Sequence, residues 1–208
     1  MDNTAYFHRL SPGRPGKPVF FAFHGTGGDE NQFFDFSVAL LPGATIVSPR
    51  GDVSERGAAR FFRRTAEGVY DMDDLARATE KMAAFVASYK AGYPGSEVYG
   101  LGFSNGANIL ANLLFTHADL FDRAVLMHPL IPFKPPVQEA SLKGKQVLVT
   151  AGRRDPICPV PVTESLIAYL QAEGAQVTAE WHRGGHEIGE NEIEAVRSFL
   201  SDGADATA

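Results

Sequence analysis

Ser104 stands in Gly102-Phe103-Ser104-Asn105-Gly106, a Gly-x-Ser-x-Gly pattern. A short apolar run precedes it, and Ile109, Leu110, Leu113 and Leu114 recur at helical spacing after it. A serine at a sharp strand-to-helix turn is presented as a nucleophile, because the turn lifts its hydroxyl off the sheet. Gly102 and Gly106 suit that turn, since a side chain at either position collides with the neighbouring strand or helix. A serine hydroxyl is a poor nucleophile near neutral pH. It needs a base to accept its proton and a third group to orient the base. Asp155, in Gly152-Arg153-Arg154-Asp155-Pro156, and His186, in Gly184-Gly185-His186, have the right chemistry and follow in the order Ser, Asp, His. Each also has a plainer reading: a tight Gly-Ser-Asn turn, a turn residue or helix cap before a proline, and a loop histidine. Their joint order, each just after a predicted strand, favours acyl transfer over three coincidences.

The elements that must position these residues alternate along the chain. Continuous apolar runs at 19–23, 45–48, 98–103, 124–127 and 146–150, and the segment 177–183, predict strands. Helices are expected after Asp29 or Asn31, either of which can cap one running to Leu41, then over 71–89, after Ser104, over 160–173 and up to Leu200. The fold class is therefore α/β: a mostly parallel sheet with helices on both faces and no large cap domain. Residues 1–208 read as a single domain, with an edge strand near 6–10 and a turn within 1–18, and a frayed tail at 201–208. Residues 49–70 read as a long polar connection, and loops of that length in a compact domain are often functional.

In an open parallel sheet, ligands bind beyond the carboxyl ends of the strands. The tetrahedral intermediate of acyl transfer needs hydrogen-bond donors there. The backbone N–H of Asn105, just after the serine, is one candidate. Thr26, in His24-Gly25-Thr26-Gly27-Gly28-Asp29, supplies the other. Phe33, Phe34, Phe61, Phe62 and Arg63 lie in connections at the same predicted face and are candidate substrate contacts, although core packing is the blander role for each aromatic. Arg60, Arg63 and Arg64 can bind an anionic group, or pair with acidic neighbours.

The motifs His-Gly-x-Gly-Gly-Asp, Gly-Phe-Ser-Asn-Gly-Ala, Gly-x-x-Asp-Pro and Gly-Gly-His together resemble the phospholipase/carboxylesterase family of α/β-hydrolases, over residues 19–200. The Arg60-Phe61-Phe62-Arg63 connection resembles the bacterial carboxylesterase branch. The resemblance implies Ser104, Asp155 and His186 as the triad and Thr26 and Asn105 as oxyanion donors.

Bulk properties narrow the alternatives. A chain of 208 residues with 44% hydrophobic content can bury a sizeable core. A net charge of -6 without a basic block argues against nucleic acid. No apolar run is long enough to span a bilayer, and no secretory signal is visible, so a cytoplasmic location is expected. The single cysteine, Cys158, cannot pair internally and reads as a packed residue rather than a nucleophile. His24, next to the oxyanion loop, is expected to hold that loop. His128 ends a strand and His182 lies within one, neither in the loop position expected of a base. Their spacing supports no metal site, and no cofactor is expected.

The expected function is a serine carboxylesterase acting on small carboxylic esters through an acyl-enzyme. A thioesterase or lysophospholipase with the same triad is the alternative, and a catalytically silent binding protein is the competitor from another class. A small-molecule ester is the expected partner, together with a homodimer contact.

Overall fold

The computed structural model describes residues 5–139 and 141–201. Its strands are His8–Ser11 (β1), Val19–Phe23 (β2), Thr45–Pro49 (β3), Val53–Glu55 (β4), Ala58–Arg60 (β5), Arg64–Ala66 (β6), Val69–Tyr70 (β7), Val98–Phe103 (β8), Arg123–Met127 (β9), Gln146–Gly152 (β10) and Gln176–His182 (β11). Its α-helices are Phe34–Leu40 (α1), Met72–Gly92 (α2), Asn105–Thr116 (α3), Val160–Ala172 (α4) and Glu190–Ser201 (α5). A seven-stranded sheet runs in the order β1-β3-β2-β8-β9-β10-β11. The pairing of β1 with β3 is antiparallel, and the other pairs of this sheet are parallel.

Apolar runs without alternation need cover on both faces, and they receive it. Along β2, Val19, Phe21 and Phe23 enter one core, while Phe20 and Ala22 enter the other. The first core is closed by α2, α3 and α4 through residues such as Met82, Ile109 and Leu166. The second is closed by α1 and α5 through Phe34, Val196 and Leu200. Removing a phenylalanine side chain from water stabilises the folded chain by about 1.5–3 kcal/mol, so the buried rings of β2 fix the centre of the sheet strongly.

The register decides where chemistry can occur. Phe23 pairs with Gly102, Phe103 with Met127, Met127 with Thr150, and Gly152 with His182. The carboxyl ends of β2, β8, β9, β10 and β11 are therefore level. His24, Ser104, His128, Asp155 and His186 all emerge beyond that edge.

Three local expectations change. Neither Asp29 nor Asn31 caps α1: the helix begins at Phe34 without a side-chain cap, and the Asp29 carboxylate instead accepts the Asn31 amide at 2.8 Å, closing a local turn. Residues 49–70 are not an irregular loop. They fold into two hairpins, β4–β5 and β6–β7. Arg56 and Gly57, at the tip of the first, both take positive φ (52° and 91°), as a two-residue hairpin turn demands. Ser201 belongs to α5. The rest of the expected tail, 202–208, lies outside the described residues, as do 1–4 of the amino-terminal segment. Among the described residues, no helix is long and apolar enough to cross a membrane.

Candidate active site

Ser104 sits between β8 and α3 with φ 51° and ψ -115°, a conformation that a residue with a side chain rarely adopts. Such strain costs about 1–3 kcal/mol and persists only where its surroundings enforce it. Here its N–H donates to the Met127 carbonyl at 2.9 Å, and its carbonyl accepts the Asn108 amide at 2.9 Å. A Cβ on Gly102 would lie 2.3 Å from the Gly106 oxygen, so β8 and α3 approach as closely as their backbones permit.

His186 follows β11. Its Nε2 lies 2.9 Å from Ser104 Oγ, and its Nδ1 lies 2.7 Å from Asp155 Oδ2. A carboxylate at Nδ1 fixes the tautomer: Nδ1–H donates to Asp155, leaving the Nε2 lone pair to accept the serine proton. The Asp155 side chain is fully buried, whereas that of His186 is 19% exposed. Burial by itself would raise the Asp155 pKa. Hydrogen bonds from His128, the Cys158 amide, His186 and the Ile157 amide outweigh it, and the carboxyl is held below its ordinary range. Its second oxygen, Oδ1, accepts those two amides at 2.9 and 2.8 Å.

The candidate oxyanion donors flank the serine. In the loop after β2, the Gly27 amide donates to Ala59 and the Gly28 amide to Gly25, whereas among the described residues the Thr26 and Asn105 amides take no part in the turn and loop hydrogen bonds. His24 pins this loop: its Nδ1 lies 2.7 Å from the Gly25 carbonyl, and its Nε2 accepts the Gly51 amide at 2.9 Å. Burial is the leading reason that His24 is held below the ordinary histidine range, and a neutral ring suits those two bonds. Arg60, 3% exposed, donates to Thr26 Oγ1 at 2.6 Å and to the Phe62 carbonyl at 3.2 Å, so a buried guanidinium touches the loop that carries the candidate donor Thr26. The Asn105 side chain accepts the Phe61 amide at 2.8 Å, tying the first hairpin to α3.

A cavity of about 290 Å³ opens onto Ser104, His186, Thr26 and Asn105. The hairpins contribute Arg60, Arg64, Glu67 and Tyr70 to its wall, and Phe103, Asn108, Leu130 and Ile157 complete it. Asn108, Tyr70 and Leu130 are knotted together: Asn108 Nδ2 donates to the Tyr70 hydroxyl at 2.8 Å, that hydroxyl donates to the Leu130 carbonyl at 2.5 Å, and the Leu130 amide donates to Asn108 Oδ1 at 2.7 Å.

The five expected substrate contacts are not on this wall. Phe61 and Phe62 are fully buried in the first core, and Phe33 and Phe34 are buried in the second. Two of them back its lining: Phe33 packs on Phe103, and Phe62 packs edge-on against Tyr70. Arg63 points outward, 64% exposed, and pairs with Asp74. Arg60 closes β5 and Arg64 opens β6, and both reach the cavity, whereas Arg63 stands in the bend between the two hairpins. Tyr70, Asn108, Leu130 and Ile157 carried no sequence signal, because ordinary core positions look the same.

Behind Asp155 lies a buried polar cluster. His128 Nδ1 is 2.8 Å from Asp155 Oδ2, and its Nε2 is 3.1 Å from Glu192. Both His128 and Glu192 have fully buried side chains. His182 Nε2 lies 3.4 Å from Glu192, and its Nδ1 accepts the Gly184 amide at 3.0 Å. His128, His182 and Glu192 are of metal-binding type, but an accepting Nδ1 on His182 requires its proton on Nε2, which makes that nitrogen a donor rather than a ligand. Cys158 is buried, and burial pushes its thiol far above the ordinary range, so it does not offer a thiolate.

A strained serine after a parallel strand, with histidine and aspartate beyond later strands, is the arrangement of an α/β-hydrolase. Residues 6–203 match the model of the phospholipase/carboxylesterase family, and the chain belongs to that family as a hydrolase. It is 35% identical over 186 residues to the protein MhqD of Bacillus subtilis (strain 168), covering 88% of this chain and 92% of that one. The structure of Atu2452 from Agrobacterium tumefaciens str. C58 is 60% identical, with a TM-score of 0.93 over 97% of this chain and 98% of that one. The Bacillus cereus carboxylesterase is 33% identical, with a TM-score of 0.89 over 97% and 99%.

Proposed function

We propose that this hydrolase is a serine carboxylesterase acting on small carboxylic esters. The observation that carries this reading is the continuous hydrogen-bonded line from Ser104 through His186 to Asp155, at 2.9 and 2.7 Å. His186 Nε2 takes the Ser104 proton as Oγ attacks the ester carbonyl, and a tetrahedral oxyanion forms. The Thr26 and Asn105 amides donate to that oxyanion, and the Arg60 charge beside Thr26 adds a favourable field. His186 returns the proton to the departing alkoxide, which leaves as the alcohol. A water then attacks the acyl-enzyme by the same route, releasing the acid and restoring Ser104. The reading takes the 208 residues as one domain working in the cytoplasm. The cavity of about 290 Å³ favours short or medium acyl groups over long chains.

The test is labelling with a fluorophosphonate, combined with hydrolysis of p-nitrophenyl acetate and octanoate. The expected result is one label, on Ser104, and faster turnover of the acetate. Absence of both label and turnover overturns the reading. Preference for an acyl thioester over the matched oxygen ester would move the substrate assignment to thioesters with the same residues in place.

A further inference from the structure

Asp155 serves two histidines at one oxygen. His186 Nδ1 and His128 Nδ1 approach Oδ2 at 2.7 and 2.8 Å. Acyl transfer accounts for the first contact and not for the second. We propose that His128 is a positioning residue for the reaction: held as an imidazolium between Asp155 and Glu192, it divides the Asp155 anion with His186 and by its charge disfavours a second cation on the His186 ring. This inference rests on His186 being the base.

The donor and acceptor inventory favours that protonation state, because the bonds that Glu192 accepts hold it ionised. Ionised carboxylates only accept. Glu192 already accepts the Gly189 amide at 2.6 Å, and the Nε2–H of His182, whose tautomer the Gly184 amide fixes, faces it at 3.4 Å. Asp155 accepts two amides and His186. Two fully buried carboxylates are costly unless neutralised, and among the described residues the ion pairs of Asp155 and Glu192 are all with histidines. His128 is the only one of the three placed between both anions. As an imidazolium it gives one N–H to each.

The environment agrees. The groups facing His128 are Asp155 from the loop after β10, Glu192 from α5, His182 at the end of β11, and His186 beyond it, with ring centroids at 5.4 and 5.1 Å for the two histidines. Cys158 Sγ donates to the His128 carbonyl at 3.2 Å as a neutral thiol. His186 additionally faces Cys158 and the cavity residues Arg60, Arg64 and Glu67. Burial pulls His128 toward the neutral form, but the bonds to Glu192 and Asp155 more than offset it, and the net shift is upward. The backbone of His128 is also held at φ 50°, an uncommon conformation that its amide secures by donating to the Thr150 carbonyl at 2.8 Å.

The consequence for the reaction has a definite sign. A cation near His186 disfavours its protonation. Removing that cation removes the bias. Glu192→Gln keeps the shape and removes the charge that holds the second proton on His128. The acid limb of kcat/KM for p-nitrophenyl acetate should then move up by about one pH unit, with the plateau retained. His128→Gln should move it the same way. A purely structural role would lower the whole profile without displacing the limb.

A second readout needs neither variant nor substrate. In 15N-histidine-labelled wild type, long-range 1H–15N spectra should show both His128 ring nitrogens protonated at a pH above the ordinary histidine value of about 6.5. A neutral His128 there, or an unmoved acid limb in folded Glu192→Gln, overturns the inference. Should that variant not fold, the wild-type spectrum decides. The His128 signal does not depend on Ser104, so failure of fluorophosphonate labelling is distinguishable from failure of this proposal.

Discussion

Gly106 packs against Phe23 so closely that a Cβ at position 106 would lie 2.3 Å from the Phe23 carbonyl oxygen. The obstacle is backbone of β2, which cannot rotate away as a side chain would. Gly106→Ala must push α3 off the sheet. A loss of about 3 kcal/mol or more in urea unfolding is expected, above the usual range for overpacking because no rotamer relieves the contact. Activity should fall as well, since α3 carries the Asn105 amide.

Ser104→Ala should abolish labelling and reduce kcat by about 10⁴ or more while leaving the fold intact. The same position permits a finer test. Ser104 has φ 51°, which glycine adopts freely and alanine does not. Ser104→Gly should therefore be more stable than Ser104→Ala by about 1 kcal/mol, although glycine normally destabilises. Thermal melts of the two inactive variants check this.

Asp155→Asn is expected to cost about 10⁴ in kcat. The backbone amides of Ile157 and Cys158 claim the amide oxygen, which turns its NH₂ toward His186. His186 Nδ1 must then accept, its proton moves to Nε2, and the nitrogen facing Ser104 can no longer take a proton. Comparable substrate KM with a collapsed kcat is the signature.

Arg60→Gln tests the buried cation beside the oxyanion loop. It removes the 2.6 Å bond to Thr26 and a charge near the proposed oxyanion site. A fall of about tenfold in kcat with little change in KM is expected, equivalent to one modest interaction made in the transition state. An equal rise in KM with constant kcat would instead mark Arg60 as a substrate-binding group.

The buried cluster also predicts how stability depends on pH. His128 is shifted upward, so its contribution is fully present below about pH 6.5 and is lost as pH rises through the raised value. Asp155 and Glu192 are shifted downward, so theirs are present above about pH 4 and are lost as pH falls through the depressed values. The cluster therefore stabilises most between those limits. In Glu192→Gln the alkaline decline of Tm should flatten, because His128 loses the partner that raises it.

Much of this was legible in the sequence. The runs 19–23 and 98–103 are strands because uninterrupted apolar residues fit only a sheet covered on both faces, and their limits match β2 and β8. Ser104, Asp155 and His186 could be placed because glycines and strand ends flag them. The hairpins of 53–70 were not legible: their strands are two or three residues long, and the Arg56-Gly57 turn lacks the usual asparagine. His128 and Glu192 were missed for another reason. His128 meets Asp155 and Glu192 across 27 and 64 residues, and nothing local distinguishes a buried glutamate that caps a helix from one in solvent.

The two hairpins have a consequence for how such a protein can diversify. They hang between β3 and α2, contribute no strand to the central sheet, and are anchored through Phe61 and Phe62 while presenting Arg60, Arg64, Glu67 and Tyr70 to the cavity. Anchor and lining alternate within one short stretch. Exchanging residues 53–70 as a cassette, with Arg60 and the two phenylalanines kept, would reshape the cavity wall while Ser104, Asp155 and His186, which lie outside the cassette, keep their places.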